Sequence, residues 1–245
     1  MDTEFGQMGP IDRAWMMLSP EGKLIQVEYA KQAAKAGSTA IGITAKDGIV
    51  IIADKKRSSK LISSDSVEKI LEIDDFILGT FSGFIPDGRV LIDYAREIAQ
   101  NYRLQYGKQI DIELLVRELS DVMQSYTRFG GVRPFAVSLI IGGIDKDGQP
   151  KIYSIDPSGI FYKYLAVSIG EGEDKIMQIL EEKYKEMELE EAIKFGMDIL
   201  KDYLKDNFSY ERVVIGYVKK GEKVKILENN EVKKLYEGQW NNCKV

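Results

Sequence analysis

Residues Ser19–Ala40 read SPEGKLIQVEYAKQAAKAGSTA, and the rest of the chain is best understood outward from them. Ser19-Pro20-Glu21-Gly22 suits a type I turn, in which proline presets φ at the second position and glycine closes the fourth. From Leu24 onward Val27, Ala30 and Ala34 recur at helical spacing, while Lys23, Glu28, Lys31 and Lys35 face away. Gly37 falls where a helix C-cap is expected, and an extended run follows it. The segment alone predicts a turn, one short amphipathic helix, a glycine stop and the start of a strand. Its small residues imply close packing of that helix on a β-domain.

Downstream, AIGITA and GIVIIA (Ala40–Ala45, Gly48–Ala53) flank Lys46-Asp47 and predict a hairpin. Further strands are expected at Ser66–Ile73, Phe76–Ser82, Phe135–Ile144, Lys151–Ile155, Ile160–Ser168, Val213–Val218 and Val224–Leu227. Val90, Leu91, Tyr94, Ala95, Ile98 and Tyr102 mark one helix, and Ile112, Leu115, Val116, Leu119, Met123 and Tyr126 a second. A second helix pair is expected over Asp174–Met187 and Leu189–Lys205, and a short helix at Glu231–Tyr236. The order is strands, two helices, strands, two helices, strands. It predicts an α+β fold with two stacked sheets and a helix pair outside each. No linker or repeat divides the chain, so one domain is expected over 12–238, with a mobile tail at 1–11 and a polar tail at 239–245.

Composition removes several classes of function. There is no histidine, so no imidazole can act as base or ligand, and the single cysteine, Cys243, cannot form an internal disulfide. No metal and no cofactor are expected. A net charge of -5 offers no general attraction to nucleic acid or anionic lipid. No apolar run approaches membrane-spanning length, and the polar, acidic N-terminus is unlike a secretory signal, so a cytoplasmic chain is expected.

Several motifs in order carry a resemblance: Asp12-Arg13-Ala14, SPEGKLIQVEYA, GSTAIGI (Gly37–Ile43), SVEKI (Ser66–Ile70), YTRFGGVRPFAVS (Tyr126–Ser138) and DPSG (Asp156–Gly159). Together they resemble archaeal α subunits of the 20S proteasome core particle. The resemblance implies the four-layer αββα sandwich of N-terminal-nucleophile hydrolases, with an added N-terminal helix. It implies a non-catalytic subunit that forms a seven-membered outer ring on proteolytic β subunits, controls access to the chamber, and docks a hexameric ATPase through that activator's C-terminal tails. Asp12, Pro20 and Tyr29 match three of four gate positions, the fourth being Ile11 where the family usually has tyrosine. Leu18 replaces another usual aromatic, and Pro86-Asp87-Gly88-Arg89 stands where Ala-Asp-Ala-Arg is common. Lys69 and Gly37 match an activator pocket, the lysine meeting a C-terminal carboxylate. Phe129, Gly130, Gly131 and Val132 match the loop that narrows the pore, with Arg133-Pro134 fixing its exit.

Two other readings stand beside this one. In related β subunits, cleavage after a glycine exposes a threonine whose own amine serves as base. Gly37-Ser38-Thr39 lies at that junction, and Asp54 and Lys69 supply a carboxylate and a lysine. Ser38 is then the nucleophile of a self-processing peptidase, although without cleavage its nitrogen is a peptide N–H with no basicity. An assembly scaffold without gating is the other, prompted by Ile11, Leu18 and the tail at 239–245. Bland readings also exist for Lys69, as a surface lysine beside Glu68 in an exposed strand, and for Pro20 and Tyr29, as residues that only fix the turn-helix corner.

Overall fold

The expected hairpin forms as β1 (Ala40–Thr44) and β2 (Gly48–Asp54), paired antiparallel in a register that sets Ala40 opposite Ala53. The computed structural model describes residues 18–20, 22–57, 59, 61–63, 66–129, 131–228 and 230–237. The expected tails, and with them Asp12 to Met17, lie outside the described residues. Every residue of β2 is buried. Its alternation explains why: Ile49, Ile51 and Ala53 face one apolar cluster, and Val50 and Ile52 face another. A strand covered on both faces reads as an unbroken apolar run.

Two five-stranded antiparallel sheets result. The first has the order β10-β9-β2-β1-β8, using β8 (Ala166–Ile169), β9 (Val213–Lys219) and β10 (Lys225–Glu228). The second has the order β3-β4-β5-β6-β7, from β3 (Ile70–Asp74), β4 (Ile77–Gly83), β5 (Val137–Ile144), β6 (Pro150–Ile155) and β7 (Phe161–Tyr164). Ile49, Ile51, Leu78, Ile140, Ile152 and Val214 fill the space between the sheets. On the outer face of the second sheet lie α2 (Ile85–Tyr106) and α3 (Ile112–Arg128). The first sheet is covered by α4 (Glu173–Lys183), α5 (Leu189–Leu204) and α6 (Asn230–Tyr236). The fold is the four-layer αββα sandwich that the sequence order implies.

Two expectations are corrected. Ile160–Ser168 is not one strand: β7 closes the second sheet, the chain crosses at Leu165, and β8 closes the first. The Leu165 carbonyl accepts from Thr44 N at 2.8 Å, which fixes the crossing. Ser66–Lys69 precede the strand, which begins at Ile70.

The N-terminal helix α1 (Ile25–Lys35) buries Val27, Ala30 and Ala34, as its spacing predicts. Its C-cap is Ala36, and Gly37 does not take the left-handed conformation of a glycine stop. Glycine is required there by proximity. A Cβ on Gly37 would sit 2.1 Å from Gly83 N and 2.4 Å from Ser82 Oγ, and one on Gly83 would sit 2.9 Å from Ala34 Cα. The helix therefore crosses the end of β4 at backbone contact.

Candidate functional site

The end of β4, Phe81-Ser82-Gly83, brings together the two residues assigned to the activator pocket. Gly37 meets Ser82 and Gly83 as described. Ser82 Oγ lies 3.0 Å from the Ala34 carbonyl and 3.1 Å from that of Ser38, donating to the C-terminus of α1 and the run into β1. From the other side, the Lys69 ammonium donates to the Phe81 carbonyl and lies 5.4 Å from the centroid of the Phe81 ring. Thr80 Oγ1 donates to the Lys69 carbonyl at 2.6 Å. Lys69 is only 7% exposed, so its reading as a surface lysine in an exposed strand is corrected. Burial pushes its ammonium down to about 8, against the longer-range pull of the Asp54 carboxylate. Among the described residues it has no carboxylate partner.

Of the groups in the peptidase reading, the Asp54 carboxylate and the Lys69 ammonium are otherwise engaged. Thr39 is buried and its hydroxyl donates to the Glu171 carbonyl at 2.6 Å. Asp54, at the end of β2, accepts a fork from Arg212: Nε to Oδ1 at 3.0 Å and Nη2 to Oδ2 at 2.7 Å. Its backbone N–H donates to the Thr39 carbonyl at 2.9 Å. As long as the chain is uncleaved, the Ser38 nitrogen is a peptide N–H with no basicity. Beside Asp54 opens a cleft of about 530 Å³, whose walls include Lys56, Glu171, Tyr203 and Arg212, with Lys56 and Glu171 paired at 2.7 Å. Among the described residues, no cluster of Cys, Asp or Glu could hold a metal ion, and no helix is long and apolar enough to cross a membrane.

The turn-helix corner forms as expected. Gly22 N donates to the Ser19 carbonyl at 2.8 Å, and Leu18 bridges to Leu24. Pro20 is exposed in the turn, and Tyr29 stands 52% exposed on α1. Ile11 and Asp12 lie outside the described residues. Next to Tyr29 runs a groove of about 310 Å³, walled by Gln26 and Ala33 of α1 and by Phe84, Arg133, Pro134 and Ala136.

Across that groove lies the loop that follows α3. Phe129 caps α3 in extended conformation, its N–H reaching the Ser125 carbonyl at 3.2 Å. Gly131 has φ +86°, which an L side chain rarely adopts. Phe129 and Val132 are exposed, and Gly130 lies outside the described residues. Arg133 holds the exit, as its position suggested, through a partner that the sequence did not reveal. Asp87 takes its guanidinium in a fork, Nη1 to Oδ2 at 2.6 Å and Nη2 to Oδ1 at 2.8 Å. Burial pushes the Asp87 carboxyl up, but Arg133 and the Ala136 N–H together hold it below the usual carboxylate range. Asp87 and Arg212 are the residues that sequence reasoning missed. Each is distant in sequence from its partner, so no local pattern marks the pair.

A family model described as proteasome subunit matches residues 34–218. Proteasome subunit alpha of Picrophilus torridus is 44% identical over 230 residues, covering 94% of this chain and 97% of that protein. The chain belongs to the proteasome α-subunit family. The α subunit of Methanocaldococcus jannaschii is 44% identical over 227 residues, covering 92% of this chain and 87% of its own. That of Sulfolobus acidocaldarius is 46% identical over 209 residues, 84% and 86% of the two chains. An alignment of 230 of the 245 residues necessarily includes α1, so the α-subunit likeness extends over the helix and both sheets.

Proposed function

We propose that this chain is a non-catalytic, gating α subunit of an archaeal 20S proteasome. Seven copies form an outer ring on the proteolytic β subunits, in the cytoplasm, and a hexameric ATPase docks on that ring through its C-terminal tails. The gate consists of Ile11, Asp12, Pro20 and Tyr29, and the pore is narrowed by Phe129, Gly130, Gly131 and Val132. The domain spans 12–238, with 1–11 as the gate tail.

Lys69 is the observation that carries this reading. It is a desolvated ammonium whose acceptor is one backbone carbonyl and which has no carboxylate partner among the described residues. A buried charge without its counter-charge is costly, and a chain-terminal carboxylate supplies one. Gly37 lies at the same strand end, where its missing side chain is accounted for by the backbone of Gly83 and the hydroxyl of Ser82. The non-catalytic reading is supported by Asp54, whose carboxylate is committed to Arg212, and by the lack of a basic nitrogen at Ser38 as long as the chain is uncleaved.

The test is Lys69→Met in particles that carry a normal β ring. Losing a charge-assisted contact of roughly 1.5–3 kcal/mol weakens a carboxyl-terminal activator peptide by about 10–150-fold per site. Rings should assemble and fail to respond to that peptide. A normal response would remove Lys69 from the docking site.

A further inference from the structure

We propose that the fork between Asp87 and Arg133 is the positioning device of the pore loop, setting how wide a chain the loop admits. The inference rests on the reading of Phe129, Gly131 and Val132 as the constriction, and it assigns a role to two residues outside that set.

The root of the loop is held twice. On one side Tyr126 of α3 and Phe135 pack their rings at 4.6 Å. On the other, the exit segment is tied to the start of α2. Asp87, in the first turn of α2 and 8% exposed, accepts both ends of the Arg133 guanidinium and also the Ala136 N–H at 2.9 Å. Phe84, the N-cap residue of α2, donates its N–H to the Ala136 carbonyl at 3.0 Å. Its ring lies 5.3 Å beneath the Arg133 guanidinium, and Arg133 Nη1 also reaches the Pro134 carbonyl at 3.0 Å. The planar guanidinium is thus fixed in its own plane by the carboxylate and from below by the ring.

Among the described residues, no such anchorage reaches beyond the root. Gly131 and Val132 make no backbone hydrogen bond to any described residue, and Phe129 is 65% exposed. Where the tip sits is therefore decided at its root. The Arg133 side chain is half exposed, whereas the carboxylate that it meets is buried, and the two-point geometry of the fork fixes direction. A lysine at position 133 would keep the charge and lose the direction.

The experiment uses assembled particles with identical β rings, all lacking residues 2–12 so that the gate is open throughout. The variants are Asp87→Asn, Arg133→Lys, their double and Phe129→Ala. The readout is the hydrolysis rate of reduced, unfolded casein divided by that of a fluorogenic tetrapeptide, with the melting midpoint recorded alongside. The first two variants should raise the ratio by about two- to thirty-fold, the span of known couplings through packed networks. The tetrapeptide rate should be unchanged, the melting midpoint should fall in each variant because the buried Asp87 carboxylate or its partner is left unpaired, and the double should be no worse than either single, because the fork acts as a unit. A purely structural pair would lower the midpoint and leave the ratio alone. If Phe129→Ala raises the ratio and the fork variants do not, the positioning role is wrong. If Phe129→Ala leaves it unchanged as well, the loop is no constriction and the proposal falls with that reading.

Discussion

Replacing Lys69 by methionine should make the protein's stability lose a specific pH dependence. The ammonium ordinarily titrates at 10.5 and burial brings it to about 8. That difference corresponds to about 3 kcal/mol of penalty for the charged form in the folded chain. The folded value lies below the unfolded one, so between about pH 8 and pH 10.5 the unfolded chain holds a proton that the folded chain has released. Stability contributed by Lys69 therefore rises with pH through that window. Below it the penalty is present in full, and above it the penalty is gone. Methionine fills the same space without a charge but leaves the Phe81 carbonyl without its donor, a loss of about 1–2 kcal/mol. The variant should be more stable than the wild type by about 1–2 kcal/mol at pH 7.5, and less stable by a similar amount at pH 10.5. Urea unfolding of the full chain at matched concentrations and three pH values gives the difference directly, and groups that titrate identically in both cancel from it. A difference that stays flat across the window would mean that Lys69 is paired or hydrated in solution, and the buried, unpartnered cation would be refuted.

Other substitutions test the packing that frames the site. Gly37→Ala should cost about 3 kcal/mol, the top of the overpacking range, because the nearest atom is the backbone nitrogen of Gly83 and cannot rotate away; an unchanged urea midpoint would contradict this. Asp54→Asn should cost about 3 kcal/mol by leaving the Arg212 guanidinium without its carboxylate, the Asp54 side chain being only 3% exposed. A loss below about 1 kcal/mol would show that the pair is hydrated and weak. On prolonged incubation the intact mass should remain that of the full chain, and a fragment beginning at Ser38 would restore the peptidase reading.

The fold was largely legible because burial on both faces leaves a strong trace. Runs such as Gly48–Asp54 have no polar face to confuse the reading, and the amphipathic stripe of α3 marks its buried side just as clearly. The switch at Leu165 was not legible. A strand that changes sheets keeps its apolar pattern, and only the partner identity changes. Gly37 illustrates a subtler failure: glycine at a helix end suggests a left-handed stop, whereas here a neighbouring backbone excludes any side chain. At the site, the turn-helix corner and the glycine of the loop could be read locally. The burial of Lys69 and the forks onto Asp54 and Asp87 could not, because each depends on a strand or helix brought in from far along the chain.

The proposal that the chain builds the access ring of a proteasome is tested most directly by electron microscopy of the purified full-length chain. The account expects closed rings with sevenfold symmetry, formed without β subunits. A population of monomers, or rings of another symmetry, would contradict it.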